Sequence, residues 1–433
     1  MGIRRRDFLS ALAISQQLLA RGDRPSLVDD LVGLRTRISG LSKGEFDWTA
    51  FRREFELDPQ ITFLNTGSIG CTPRIVLDQI HQANLALEQN PFHHVWEDGL
   101  AGDLELVRQR VAKFFAVTKS EIALTENTTS GLYAIGSGIR WEAGDEVILT
   151  NHEHLSCMAV WKYLQKRFDL KLIYVEIPVP NYSDVEFLAQ LEARITLRTK
   201  ACCFSHVDSV SGIELPLKEI SKLTRPQNIL LICDAAQSLG MIPVDIRALG
   251  VDALAGSSHK WLFGPKGMGL MFIDQNVQDR IRPQFVDWSY SALTPCTGTR
   301  NITHLLSWAF IIELQEMLTP KGIAVRITKL STDLNNLLKQ QPGLSPLIQN
   351  AKQPSTGLIS FQLHESKNSL EVARQLAADH RVIVKPLPPT YELDPSADHP
   401  PVEYHALRFS THLYNDQQDL ARAADAIRTV LSR

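Results

Sequence analysis

Ser257-Ser258-His259-Lys260-Trp261-Leu262-Phe263-Gly264-Pro265-Lys266-Gly267-Met268-Gly269 follows a short apolar stretch, Ala253 to Ala255. A lysine amine attacks a carbonyl only in its neutral form. A site that uses one must therefore strip it of water or set it near other cations. The three glycines let the backbone pass close to a ligand. Alone, the string reads equally well as a polar loop with a surface lysine.

Working outward, a second segment places Asp234 26 residues before Lys260: Leu230-Leu231-Ile232-Cys233-Asp234-Ala235-Ala236-Gln237-Ser238. An aspartate closing a buried apolar strand is costly unless paired. A protonated ring nitrogen would pair with it, and so would the first amides of a following helix, which Asp commonly caps. Further upstream, Glu126-Asn127-Thr128-Thr129-Ser130-Gly131 sits between a strand and a helix. Hydroxyls and amides at a helix N-terminus suit a phosphate, or serve simple capping. His152-Glu153-His154 follows another strand, and His154 could lie flat on a ring. A metal pair there lacks companion ligands, so no metal site is expected. Arg408, in Leu407-Arg408-Phe409-Ser410, lies within an apolar strand and wants a carboxylate, from a ligand or from a structural salt bridge.

Between these segments the chain alternates short apolar strands with helices. Strands are expected at Ile122–Leu124, Glu146–Leu149, Leu172–Val175, Ala201–Ser205 and Ile229–Cys233. Each is a continuous apolar run, the pattern of a parallel strand buried on both faces. Such a βα alternation predicts a mostly parallel sheet between helices, with ligands at the carboxyl ends of the strands. Beyond residue 300 long helices lead into strands at Thr356–Phe361, Arg381–Lys385 and Ala406–Ser410, then a closing helix, Gln417–Leu431. This predicts a smaller α+β unit. Proline-rich Pro386–Pro401 reads as a loop.

The order and spacing of these pieces resemble the class V aminotransferase family over roughly residues 60–420, the S-x-H-K…G-P-x-G-x-G string being its specific signature. The resemblance implies an α/β protein with the pyridoxal-phosphate (PLP)-dependent transferase fold of type I. It implies a tail or possible twin-arginine signal over 1–45 and an N-terminal segment, 46–74, packing with the small domain. A large PLP-binding domain over 75–305 and a small C-terminal domain over 306–433 complete it. Lys260 would be the Schiff-base lysine, Asp234 the partner of the pyridine nitrogen and Gln237 that of the phenolic oxygen. His154 would stack on the ring and Ser209 would touch it. Thr128, Thr129, Ser257 and His259 would hold the phosphate, and Thr299 would reach the phosphate of a second subunit in a homodimer. Arg408 would take the α-carboxylate of a small amino-acid substrate. Lys260, His154 and Asp234 form the catalytic set.

Within the family, Asn65-Thr66-Gly67-Ser68-Ile69-Gly70, Asn127-Thr128-Thr129 and His152-Glu153-His154 look most like the isopenicillin N epimerase-like branch. The related cysteine desulfurases need a cysteine on the loop before the arginine. Pro386-Leu387-Pro388-Pro389-Thr390-Tyr391 has none, and Cys296 lies elsewhere. Lys385 stands where desulfurases usually carry arginine. Epimerisation of an amino-acid stereocentre is the preferred reading. Transamination, carbon–sulfur lyase chemistry and a non-catalytic PLP-binding protein are the alternatives. His93, His94, Trp96 and Tyr391 are candidate pocket residues.

Composition agrees with an enzyme of this kind. The 433 residues are 44% hydrophobic and 21% charged, with a formal net charge of -3. That balance argues against a dedicated nucleic-acid binder. No apolar run is long enough for a membrane span. The six cysteines form no C-x-x-C pair and suggest no disulfide framework. A cytoplasmic enzyme is expected. Arg4-Arg5-Arg6-Asp7-Phe8-Leu9 also fits a twin-arginine export signal, or else a basic amphipathic tail.

Overall fold

In the computed structural model of the chain, residues 33, 34, 36, 46–92, 100–283, 293, 298–350, 354–364, 367–387 and 404–432 are described. The arginine motif at 4–9, the candidate pocket residues His93, His94, Trp96 and Tyr391, and Cys296 lie outside them.

Among the described residues are thirteen strands: β1 (Thr62–Phe63), β2 (Ile122–Thr125), β3 (Glu146–Thr150), β4 (Lys171–Val175), β5 (Thr199–Ser205), β6 (Leu230–Asp234), β7 (Ala253–Ser257), β8 (Gly269–Ile273), β9 (Leu344–Pro346), β10 (Leu358–Leu363), β11 (Val382–Ile383), β12 (Lys385–Leu387) and β13 (Ala406–Ser410). Seven build the main sheet in the order β2-β8-β7-β6-β5-β3-β4. β8 alone runs antiparallel to its neighbours. The sheet is thus mostly parallel, as expected. The inserted β8 was not foreseen, because Gly269–Ile273 follows directly on the glycine-rich loop and reads as its tail.

Alternate residues of these strands feed two cores, as the two-residue period of a strand requires. Leu124, Ile148, Cys202, Phe204, Leu231, Cys233 and Leu254 join one cluster with Val107, Val111, Trp308 and Ile311. Val147, Leu149, Ala201, Cys203, Ile232 and Ala253 join the other with Leu132, Ile135, Trp161 and Leu164. Helices therefore cover both faces. Helix Trp308–Leu318 packs into the first cluster, so the core of the large layer runs past residue 306.

A four-stranded antiparallel sheet, β12-β13-β10-β9, packs on helices Pro320–Leu338, Ser369–His380 and Gln417–Leu431 around Leu334, Phe361, Leu376, Phe409 and Ile427. The expected strand Arg381–Lys385 is in fact two. β11 pairs in parallel with β1, whereas β12 pairs with β13, and the chain switches sheets at Val384. Pro386 and Leu387, read as loop, belong to β12. Pro386 is tolerated there because β12 is an edge strand. Arg52 is bonded to Asp416 and Asp419 at the start of the last helix. Together with β1–β11, it ties the 46–74 segment to the C-terminal sheet. Leu34, inside the expected tail, is helical and fully buried in the first cluster.

Candidate active site

β2, β3, β5, β6 and β7 run in the same direction, so Thr125, Thr150, Ser205, Asp234 and Ser257 end at one edge of the sheet. Each of the chemistry-bearing segments starts there. The crevice outside the carboxyl ends of parallel strands is where this architecture binds ligands.

Lys260 follows β7 by three residues and is buried. Loss of water pulls its amine down to about 8, against the opposing influence of Asp234 and with the help of Arg408 and Lys385. Its loop is wedged against the Asn65–Gly70 turn. The Gly70 N–H donates to the His259 carbonyl at 2.6 Å. A Cβ at Gly70 would stand 2.1 Å from the Lys260 carbonyl oxygen. Only glycine allows this approach, and the close fit holds the lysine main chain in place.

Asp234, the last residue of β6, is buried. Burial raises its carboxyl above the ordinary range, opposed by an N–H from Ala236, which it accepts at 2.9 Å, and by Lys260. The aspartate bonds the turn that follows, as the capping reading expects, and it also lies within the electrostatic influence of Lys260. Gln237 is clamped at both ends. Its amide nitrogen donates to Gly67 O at 2.9 Å, and its oxygen accepts from Trp261 Nε1 at 2.9 Å. One amide proton of Gln237 is left for a ligand.

Helix Thr128–Gly138 can point its N-terminus at this edge because Gly131 presses on β7. A Cβ there would lie 2.7 Å from that of Ala255. Asn127 caps the helix through Ser130 N. Ser257 Oγ lies 2.9 Å from Thr128 N, whose proton it accepts, and 2.7 Å from Thr128 Oγ1. Thr128 is buried and Thr129 half-buried beside it. Burial, then Lys260 and Lys266, hold His259 down at about 4. Its buried Nδ1 has no hydrogen-bond partner among the described residues.

His154 caps the next helix, Leu155–Phe168, and its Nδ1 accepts from Ser156 N at 3.2 Å. Burial, then Lys260, Arg408 and Lys385, push its imidazole down to about 3, so it is neutral. Arg408, from β13 of the small sheet, is buried and reaches back across. It donates to Ser209 O at 2.8 Å, Ser68 Oγ at 3.0 Å and Asn65 Oδ1 at 3.4 Å. Ser209 thus meets the site through its carbonyl. Thr299 is not brought together with the others. It is exposed, after Gly298, while Arg300 anchors its segment to Glu126 and the Leu124 carbonyl.

Two groups escaped sequence reasoning. Glu153 is fully buried between Thr150 Oγ1, 2.8 Å away, and Ser205 Oγ, 2.7 Å away. Burial first, and Asp234 also, push it up to about 8. His152 Nδ1 pairs with Asp208 at 2.8 Å, and Asp208 in turn caps Val210 N and Ser211 N in the loop that carries Ser209. Both groups stand at strand ends beside residues already singled out. Ser205, which closes β5, and Asp208, just beyond it, are about fifty residues from Glu153 and His152, so no local spacing reveals those contacts.

The profile of class-V aminotransferases matches residues 70–422. The chain belongs to the class-V aminotransferase family. It is 27% identical to isopenicillin N epimerase of Streptomyces clavuligerus over 401 residues, 88% of this chain and 98% of that one. A probable cysteine desulfurase of Pyrococcus abyssi is 28% identical over 239 residues, 54% of this chain and 59% of that one. The solved structure of the cystine C–S lyase C-DES with cysteine persulfide superposes with a TM-score of 0.76 at 24% identity. It covers 86% of this chain and 98% of that one, and so shares the fold.

This family member is a PLP-dependent enzyme of fold type I. The residues present fit that cofactor. The structure offers a buried amine held near neutrality, a buried carboxylate facing it, and a capped helix N-terminus with the Ser257 hydroxyl. It also offers a buried His259 nitrogen with no protein partner among the described residues.

Proposed function

We propose that this enzyme epimerises or racemises an α-amino acid or amino-acid-derived metabolite, in a homodimer to whose second site Thr299 contributes. The observation that carries the reading is the Lys260 amine: buried, pulled down to about 8, and within the electrostatic influence of both Asp234 and the Arg408 guanidinium. PLP, when bound, supplies an aldehyde for amine exchange and a conjugated ring that spreads the negative charge left by a departing α-proton.

The chain's own residues do the rest. Arg408 holds the substrate carboxylate and so aims the Cα–H bond. Thr128, Thr129, Ser257 and His259 hold the phosphate, with Ser209 and the remaining Gln237 proton on the ring substituents. Neutral His154 covers the opposite ring face without adding charge. Asp234 keeps a proton on the ring nitrogen, which requires a carboxylate that water does not screen. Lys260 Nζ, near neutrality at physiological pH, has the poise a general base needs to take the α-proton from one face, and inversion follows when a proton is returned to the other face of that carbon.

Full-length likeness to isopenicillin N epimerases supports epimerisation over the other outcomes. So does the lack of a cysteine in Pro386–Tyr391, which speaks against persulfide chemistry. The test is incubation of PLP-loaded full-length protein with a panel of amino acids in deuterium oxide. Expected is solvent deuterium at the α-position with loss of optical purity and no net loss of amine. A keto acid matched by amine transfer to the cofactor, or pyruvate with a released sulfur species, overturns epimerisation in favour of transaminase or lyase chemistry.

The lysine also sets a pH dependence. Only the neutral amine captures an aldehyde, so the rate at which cofactor-free protein takes up PLP should rise with pH, with a midpoint at about 8 and not at the ordinary lysine value of 10.5. Stopped-flow absorbance at a series of pH values checks this. A midpoint above 10 would show an amine still in contact with water.

A further inference from the structure

We infer that the substrate is an α-amino acid carrying a second acidic group, and that Lys385 is the residue that selects it. The inference rests on Arg408 holding the α-carboxylate, as proposed above. Lys385 on β12 and Arg408 on β13 are direct partners in an antiparallel ladder. Residues directly opposite in such a ladder project from the same face with Cβ atoms about 5 Å apart. Two cations so placed repel, and like-charged cross-strand pairs destabilise a sheet.

Among the described residues, no hydrogen bond or ion pair relieves that repulsion at Lys385. Its side chain is half-buried, and among the described residues no carboxylate or other acceptor bonds to it. The named partners of Arg408 are neutral oxygens, of Ser209, Ser68 and Asn65. Burial and Arg408 together hold the Lys385 ammonium below its ordinary range. Lys385 acts electrostatically on Lys260 and His154 as well, so its charge is felt at the reaction site. A single carboxylate is matched by the planar, two-pronged guanidinium of Arg408 alone. A second anion on the same ligand uses the cation left over. An arrangement that costs the sheet stability and leaves a half-buried ammonium without an anion is explained by a ligand that supplies one.

The test compares carboxylate binding to the PLP-loaded full-length protein by calorimetry at constant ionic strength. The probes are the dicarboxylates malonate through adipate, with acetate and butyrate as monocarboxylates. At least one dicarboxylate should bind roughly tenfold tighter than either monocarboxylate, the worth of one added charge-assisted bond. Lys385→Gln should bring that dicarboxylate down to the monocarboxylate level while leaving monocarboxylate affinity in place, and Lys385→Arg should restore the gap. Arg408→Gln should weaken both classes.

Equal affinity for the two classes in the unaltered protein overturns the inference. So does a gap that survives in Lys385→Gln. A monocarboxylate that loses as much affinity as the dicarboxylate in that variant also overturns it, since one carboxylate would then span both cations. If the protein shows no visible absorbance of bound PLP and binds neither class, the proposed function fails along with this inference. If PLP is bound and amino acids are turned over but the two carboxylate classes bind alike, only the inference fails.

Discussion

Lys260→Ala abolishes the visible absorbance band of bound PLP and lowers turnover by on the order of 10⁴-fold or more, because one amine serves as both the covalent anchor and the proton carrier. The fold survives the change. Removing the side chain opens a small cavity, but it also removes a buried amine that loss of water disfavours in its charged form. Circular dichroism should therefore match the unaltered protein while the band is missing.

The pH dependence of stability gives an independent reading, made on cofactor-free protein. The folded-state value of the amine, about 8, lies below the ordinary 10.5. Between those values the unfolded chain keeps the proton that the folded chain has released. The unfolded state then binds more protons, so stability rises with pH across that window, and below it the burial penalty is constant. Lys260→Ala lacks this rise. Urea melts from below pH 8 to above pH 10 should converge on the high-pH side if the alanine protein starts out more stable. Parallel stability curves would mean that the amine is not buried.

Asp234→Asn keeps the shape of the side chain and the acceptor for Ala236 N, but removes the charge. Turnover should fall by roughly 10²–10³-fold, the scale of losing one preorganised electrostatic contact in a dry site. PLP should still bind, since the phosphate and lysine contacts are untouched. Two titrations should move with it. Asp234 raises the Lys260 amine, so in the variant the midpoint of PLP capture should drop below 8. Asp234 also raises Glu153, so that carboxyl should titrate lower than in the unaltered protein. Full turnover with unmoved midpoints would show that Asp234 only caps the turn after β6, the structural alternative its position at a strand-to-helix turn allows.

Much of this architecture could be read from local pattern. Continuous apolar runs at β2 through β6 marked buried strands, and the segments carrying Asp234, Lys260, His154 and Thr128 all followed strand ends. β8 was missed because an antiparallel insertion leaves the same apolar signature as any other buried strand. The break at Val384 was missed because a sheet switch needs no special residue when both halves are apolar. Leu34 shows the same limit, since nothing in its local sequence announces that a side chain of the expected tail is buried in the core.

By itself, the order of residues along the chain determined the family and the cofactor chemistry and singled out Lys260 and Asp234 as candidates, because those depend on residue type and on short spacing along strands and turns. Only the tertiary structure decided which groups share a field: that Gly70 braces the Lys260 main chain, that Glu153 lies buried near Asp234, and that Lys385 faces Arg408 across a ladder. Charges interact through space and burial, and partners hundreds of residues apart acquire their distance, and with it their pKa and their ligand, only when the sheets assemble.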